Sequence, residues 1–225
     1  MPNVEVNGIT VTLDAADVAI GVVVGRGCAT GPSAESLTAA VDKAIEEAKA
    51  RTEEDTITQP VRNMLRFGRY KPTGRGKPAS EYLLKAARND KFPRINNLVD
   101  LNNLVSLRSL LPISLIDLTR ADADRFTVRR GREEEEYVFN SAGQTIALAD
   151  LLLVARGAND APCANPVKDS MATKLDEQAT DVMAILYAPS AGLPDRWLEN
   201  AVTQFTQGLT EWSGAKSAQS ALLGG

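Results

Sequence analysis

The sequence predicts an α+β fold of mixed α/β character in a single domain spanning 1–225. Three observations carry this. Val18 to Val24 (VAIGVVV) and Val182 to Tyr187 (VMAILY) are uncharged, β-rich runs of strand length near opposite ends of the chain. The stretch between Ser33 and Pro112 repeats apolar residues at helical spacing. The stretch after Asp117 breaks into short strand-like runs divided by turn residues. Helices first and strands later, with the late strands pairing back onto Val18 to Val24, fit one layered α+β unit.

In chain order, Val4 to Leu13 alternates as a strand or hairpin start around an Asn7-Gly8 turn signal. Gly25 and Gly27 follow the first apolar run, but GVVVGRG lacks the lysine and hydroxyl of a phosphate loop and reads as a turn leaving a strand. Gly31-Pro32-Ser33 precedes a helix marked by Leu37, Val41 and Ile45, fading over Arg51 to Asp55. A second helix is expected from Pro60 to Arg69, and Lys71 to Pro78 (KPTGRGKP) as an exposed loop. Ser80 offers a cap for a helix carrying Leu83, Leu84 and Ala87. Leu98, Leu101, Leu104 and Val105 mark a further helix ending before Pro112. Strands are expected at Phe126 to Arg129, Glu136 to Phe139 and Leu151 to Ala155, a terminal helix over 198–212, and a frayed SGAKSAQSALLGG beyond it.

Composition narrows the chemistry. The chain has 225 residues and no histidine, which removes the commonest general base and most zinc sites. Its two cysteines, Cys28 and Cys163, make neither a disulfide framework nor a metal spacing, and no metal or other cofactor is expected. No apolar run approaches the ~20 residues of a membrane span. The start lacks the basic and apolar regions of a signal peptide, so cytoplasmic residence is the default expectation. Charge is uneven. Val61 to Arg94 holds ten Lys/Arg and two acids, net +8, within a chain of net −4. Such a strip suits a phosphate-bearing partner or is simply a solvated face. Arg69, Lys71, Arg75 and Lys77 are its candidate RNA contacts.

The segment Pro93 to Asp117 reads PRINNLVDLNNLVSLRSLLPISLID. With Asn96, Asn97, Asp100, Asn103, Pro112 and Asp117 at matching spacing, it resembles the B3/B4 domain, the editing region of the phenylalanyl-tRNA synthetase β subunit. Short free-standing B3/B4 proteins are similar elsewhere: KPTGRGKPASEYLLKAA matches their basic segment, and Asp169, Ser170, Thr173 and Lys174 match an Asp-Ser-x-x-Thr-Lys pattern. The resemblance is specific over about 60–190.

It implies a pocket for the 3′ end of a mischarged tRNA and hydrolysis of its aminoacyl ester. The family's pocket histidine position is Ser114 here, and its glutamate position falls near Met171. Asp169 and Asp117 are then the available carboxylates, and Ser170 and Asn103 the positioners of a water. Asn96, Asn97, Ser114, Arg94 and Lys174 are the candidate substrate contacts. A noncatalytic module binding tRNA or an amino-acid-like small ligand is the alternative. ATP use and aminoacylation are not expected.

Residue chemistry alone gives these side chains structural readings as well. Asn96 and Asn97 can cap free N–H groups at the helix start, Asp100 can stabilise the helix N-terminus, and Arg94 can pair with Asp100.

Overall fold

A computed structural model describes residues 1–224. The chain opens with a hairpin of β1 (Asn3–Val6) and β2 (Ile9–Asp14), in which Val6 faces Ile9. Asn7 and Gly8 both take positive φ, the requirement of a two-residue hairpin turn. Ile9, Val11 and Leu13 bury one face of β2. After β3 (Val18–Arg26) come α1 (Glu35–Ala50), α2 (Asp55–Leu65), a 3₁₀ turn at Gly74–Gly76, α3 (Ala79–Arg88) and α4 (Asn97–Ser109). The second half holds β4 (Ile113–Asp117), α5 (Leu118–Ala121), β5 (Arg125–Arg130), β6 (Glu136–Val138), β7 (Thr145–Ala147), β8 (Leu152–Arg156) and β9 (Ala161–Ala164). It closes with β10 (Val182–Pro189), α6 (Trp197–Ser213) and β11 (Ser217–Leu223).

The two apolar runs pair directly: β3 and β10 are antiparallel neighbours, with Val23 opposite Ala184 and Ile20 opposite Tyr187. They form the centre of a four-stranded antiparallel sheet in the order β11-β3-β10-β4. A five-stranded sheet, β1-β2-β5-β8-β9, includes a parallel strand pair, β2 with β5. β6 and β7 form a separate ribbon.

Glycines show how the layers meet. A Cβ at Gly21 of β3 would collide with Val202 of α6, and one at Gly25 would press on Leu209. Helix α6 therefore lies directly on β3. A Cβ at Gly208 would in turn strike Leu101, which is how closely α6 crosses α4. The second sheet meets the first along its length: β1 packs beside β11 and β9 beside β4. Among the described residues, no helix is long and apolar enough to cross a membrane.

The α+β class follows from this element content; three local expectations are corrected, and one strand was not foreseen. α2 starts at Asp55 and ends at Leu65, passing through Pro60. Ile57, Val61, Met64 and Leu65 bury one stripe of the helix, and that packing outweighs the single bond Pro60 cannot donate. Ser80 lies inside α3 and Pro78 holds the cap position. β4 was hidden because its Ser114 and Asp117 break the apolar run, yet both are buried with hydrogen-bond partners. The tail does not fray: Ser217–Leu223 pairs with β3 over its full length, and Asn7 bonds both Ser217 and Gln219.

Candidate functional site

Helix α4 organises the site. Asn96, in extended conformation, accepts the Val99 N–H at 2.9 Å and caps the helix. Leu98, Leu101, Leu104 and Val105 are fully buried, as is most of the rest of the helix. Asn102 and Asn103 emerge from this apolar helix into a cleft of about 450 Å³ between α3, α4 and the 165–169 segment. Leu83, Ile113 and Val167 give it apolar walls, Tyr82 stands at its edge, and Arg75 and Lys168 bring positive charge. Lys168 also lies 4.0 Å above the Phe139 ring.

The two carboxamides are under-used. Asn103 is 8% exposed, and its side chain's only hydrogen bond among the described residues is a long one, 3.5 Å, from Asn102 Nδ2. Asn102 Oδ1 is buried with no partner. A ligand that supplies a donor and an acceptor would satisfy both groups.

A larger cleft of about 640 Å³ lies beyond Tyr82, between α2 and α3. Most of its charges pair with one another, although Glu54 Oε2 is buried without a partner and Lys85 makes no ion pair among the described residues. Arg62 pairs with Glu81, Lys77 sits 3.6 Å from the same carboxylate, and Arg88 pairs with Glu54 at 2.8 Å. The smaller cleft, which sets an unpartnered neutral amide oxygen beside apolar walls, is the better candidate.

Ser114 and Asp169 meet, but behind the cleft rather than in it. Asp169 Oδ1 accepts the Ser114 hydroxyl at 2.6 Å and the Asn165 N–H at 3.2 Å, while Oδ2 accepts the Leu115 N–H at 3.2 Å. The Ser114 hydroxyl also lies 2.9 Å from the Tyr187 hydroxyl. By surface area the residue Asp169 is only half-buried, but its carboxyl end is enclosed by these partners, and burial pushes it up to about 6 against the pull of its three donors. The same enclosure, with the Asp169 charge added, pushes the Cys163 thiol up to about 12.

The remaining sequence candidates are dispersed. Asp117 caps α5, accepting the Thr119 and Arg120 N–H groups at 2.9 and 3.1 Å. Ser170 is buried and its hydroxyl accepts the Ala172 N–H at 3.2 Å. Lys174 is exposed, and its charge acts on Asp169 from outside. Asn97 makes four bonds to backbone groups and reaches no cavity. Arg94 pairs with Asp42 of α1, not with Asp100, which instead accepts the Ile95 N–H and the Ser33 hydroxyl. Residues the sequence reading passed over include Tyr82, Asn102, Val167 and Lys168. Only the Asn102-Asn103 doublet offered a signal, as a second amide beside one already singled out.

Half of the ten cations in the basic strip are paired. Arg62, Arg69, Lys77, Arg88 and Arg94 face carboxylates, three of which (Asp42, Glu54 and Glu133) lie outside the strip. Lys71 and Arg75 are exposed and form no ion pair among the described residues.

A comparison with curated proteins returned no match. A family profile described as the B3/4 domain matches residues 67–191, more than half of the chain. The matched region includes α3, α4, β4, the cleft and the Asp169 network. The chain belongs to the B3/4 domain family, which is related to the β subunit of phenylalanyl-tRNA synthetase.

Proposed function

We propose that the α3–α4 cleft binds an amino-acid-like group, in the first instance the aminoacylated 3′ end of a tRNA. The observation that carries this is the pairing of apolar walls with the unpartnered Asn102 Oδ1 and the weakly bonded Asn103 carboxamide, beside the cations Arg75 and Lys168. An amino-acid side chain would pack on Leu83, Ile113 and Val167. The amides would take its amino and carbonyl groups, and Arg75, with Lys71 nearby in sequence, would take phosphate. Binding without turnover is the primary reading, because the nearest candidate base, Asp169, directs its carboxyl into the core. Trans-editing hydrolysis is the second reading, supported by the free acceptor of Asn102 beside the amide of Asn103. Such a pair can hold a water against an ester, with the substrate's ribose hydroxyl assisting.

The test is a titration with aminoacyl-adenosines whose ester is replaced by an amide. The native protein is expected to bind at least one of them, and Asn103→Ala to weaken it about tenfold, the cost of one lost hydrogen bond in a closed site. Failure of every side chain in the series to bind rejects the cleft reading. A deacylation screen of mischarged tRNAs then separates the two modes.

For intact tRNA, retention should fall steeply between low and physiological salt. Replacing Arg69, Lys71, Arg75 and Lys77 together by serine should reduce it further. Most of that loss is expected from Lys71 and Arg75, since Arg69 and Lys77 already face Glu133 and Glu81. Unchanged retention by the quadruple variant would reject RNA contact through this strip.

A further inference from the structure

We infer that Asp169 and Asn165 are positioning residues: they fix the 165–169 segment as one wall of the cleft, and the charge on Asp169 sets how firmly that wall is held. The segment supplies Val167 and Lys168 to the cleft. Asn165 folds it, its Oδ1 accepting the N–H groups of both Val167 and Lys168 at 2.8 Å. Tyr137 of β6 donates its hydroxyl to the Lys168 carbonyl at 2.7 Å and receives the Asn165 amide in return. Asp169 fastens the folded segment to β4 through Ser114 and the Leu115 N–H. The Pro166 carbonyl accepts the Ala79 N–H at the start of α3, so this wall is tied to the opposite one.

The titratable and charged groups facing Asp169 are few. They are Tyr137 from β6, Tyr187 from β10, Cys163 from β9, and Lys174 on the following segment. Burial keeps both phenols and the thiol protonated far above neutrality. With no histidine in the chain, Asp169 is the member of this cluster that titrates near pH 6. The Ser114 hydroxyl can serve either state. It donates to the carboxylate when Asp169 is charged, and it can turn to the Asn165 carbonyl, 3.2 Å away, when Asp169 carries the proton.

The direction follows by linkage. With the wall closed the carboxyl titrates at about 6, whereas a carboxyl released to water titrates near 4. Protonation therefore favours the closed wall. The closed state loses ground as pH rises from about 4 through about 6, and the balance is constant above that. The difference corresponds to a tenfold to roughly hundredfold change in the opening equilibrium.

The consequence for ligand rests on the cleft reading above, but the wall can be tested without ligand. Amide exchange at Leu115, Val167 and Lys168, corrected for the intrinsic rate at each pH, should show opening increase at least tenfold between about pH 4.5 and 7.5. Carbon NMR of the native protein should place the Asp169 carboxyl near 6. Asp169→Asn should flatten the pH profile. Ser114→Ala, which removes a donor that holds the carboxyl down, should move the midpoint upward. A flat corrected profile in the native protein, or an Asp169 carboxyl titrating near 4, overturns the inference. An aminoacyl-adenosine amide that binds while the profile is flat sinks the wall assignment alone. Exchange that behaves as expected, with no such probe binding at any pH, supports the wall assignment and sinks the cleft reading instead.

Discussion

Asn97→Ala is expected to lower stability by about 3–5 kcal/mol, and the melting temperature by roughly 10 °C, without changing ligand affinity where the variant remains folded. Asn97 is 5% exposed and uses its whole carboxamide. Oδ1 accepts the N–H groups of Gly31 and Leu98 at 3.0 Å, and Nδ2 donates to the carbonyls of Ala29 and Trp212 at 2.8 and 2.9 Å. One side chain thus joins the loop after β3, the start of α4 and the end of α6. Alanine would leave these backbone groups without a partner in a place water reaches poorly, so the cost exceeds that of an ordinary cap. Asn96→Ala, which removes one partly buried capping bond, should cost about 1 kcal/mol. Asn97→Asp should fare no better than alanine, because it sets a carboxylate against two carbonyl oxygens. Urea melts of the three variants check the ranking. An Asn97→Ala protein as stable as the native would show that the four bonds contribute little.

Gly131→Ala should cost about 3 kcal/mol or more for a different reason. Gly131 does not have a positive φ; what forbids a side chain is proximity. An added Cβ would overlap the Leu148 carbonyl oxygen and stand 2.7 Å from its carbon. Backbone cannot step aside as a flexible side chain can. The approach is fixed from both sides, because Gly131 donates its N–H to the Leu151 carbonyl at 2.8 Å and accepts the Asp150 N–H at 2.9 Å. Asp150 also accepts the Arg69 N–H at 2.7 Å, so damage here should spread to the 67–70 turn within the basic strip. Gly143→Ala is the control: its φ is +73° but its surroundings are open, so about 1 kcal/mol is expected. Equal losses for the two variants would contradict the crowding argument.

The features legible in the sequence are those set by residues close together in the chain. The Asn7-Gly8 turn, the Leu37–Val41 stripe of α1 and the Asn96 cap each depend on a few neighbouring residues. The union of Val18–Val24 with Val182–Tyr187 could be inferred because both runs lacked any alternative to burial. The site was much less legible. Nothing in the string indicates that Asp169 will turn toward Ser114 and away from the cleft, since that depends on β4 lying beside the 165–169 segment. Counting charge along the strip gave +8 because the count omitted Asp42, Glu54 and Glu133, which reach it only in the folded protein. β11 was missed because its serines and alanines carry little strand propensity; its register comes from β3.

The position of β3 also shapes how the fold can be reached. Both of its hydrogen-bonding neighbours, β10 and β11, come from near the other end of the chain. On a ribosome, at ~5–20 residues per second, VAIGVVV would emerge on the order of ten seconds before β10 does. No local helix or hairpin can substitute, because β1 and β2 belong to the other sheet. Such a high contact order makes assembly slow, and it leaves an apolar, uncharged β-rich segment exposed until β10 is made. The four-stranded sheet therefore cannot close until β10 and β11 have been made, and the yield of folded protein depends on how well β3 is shielded until those partners arrive.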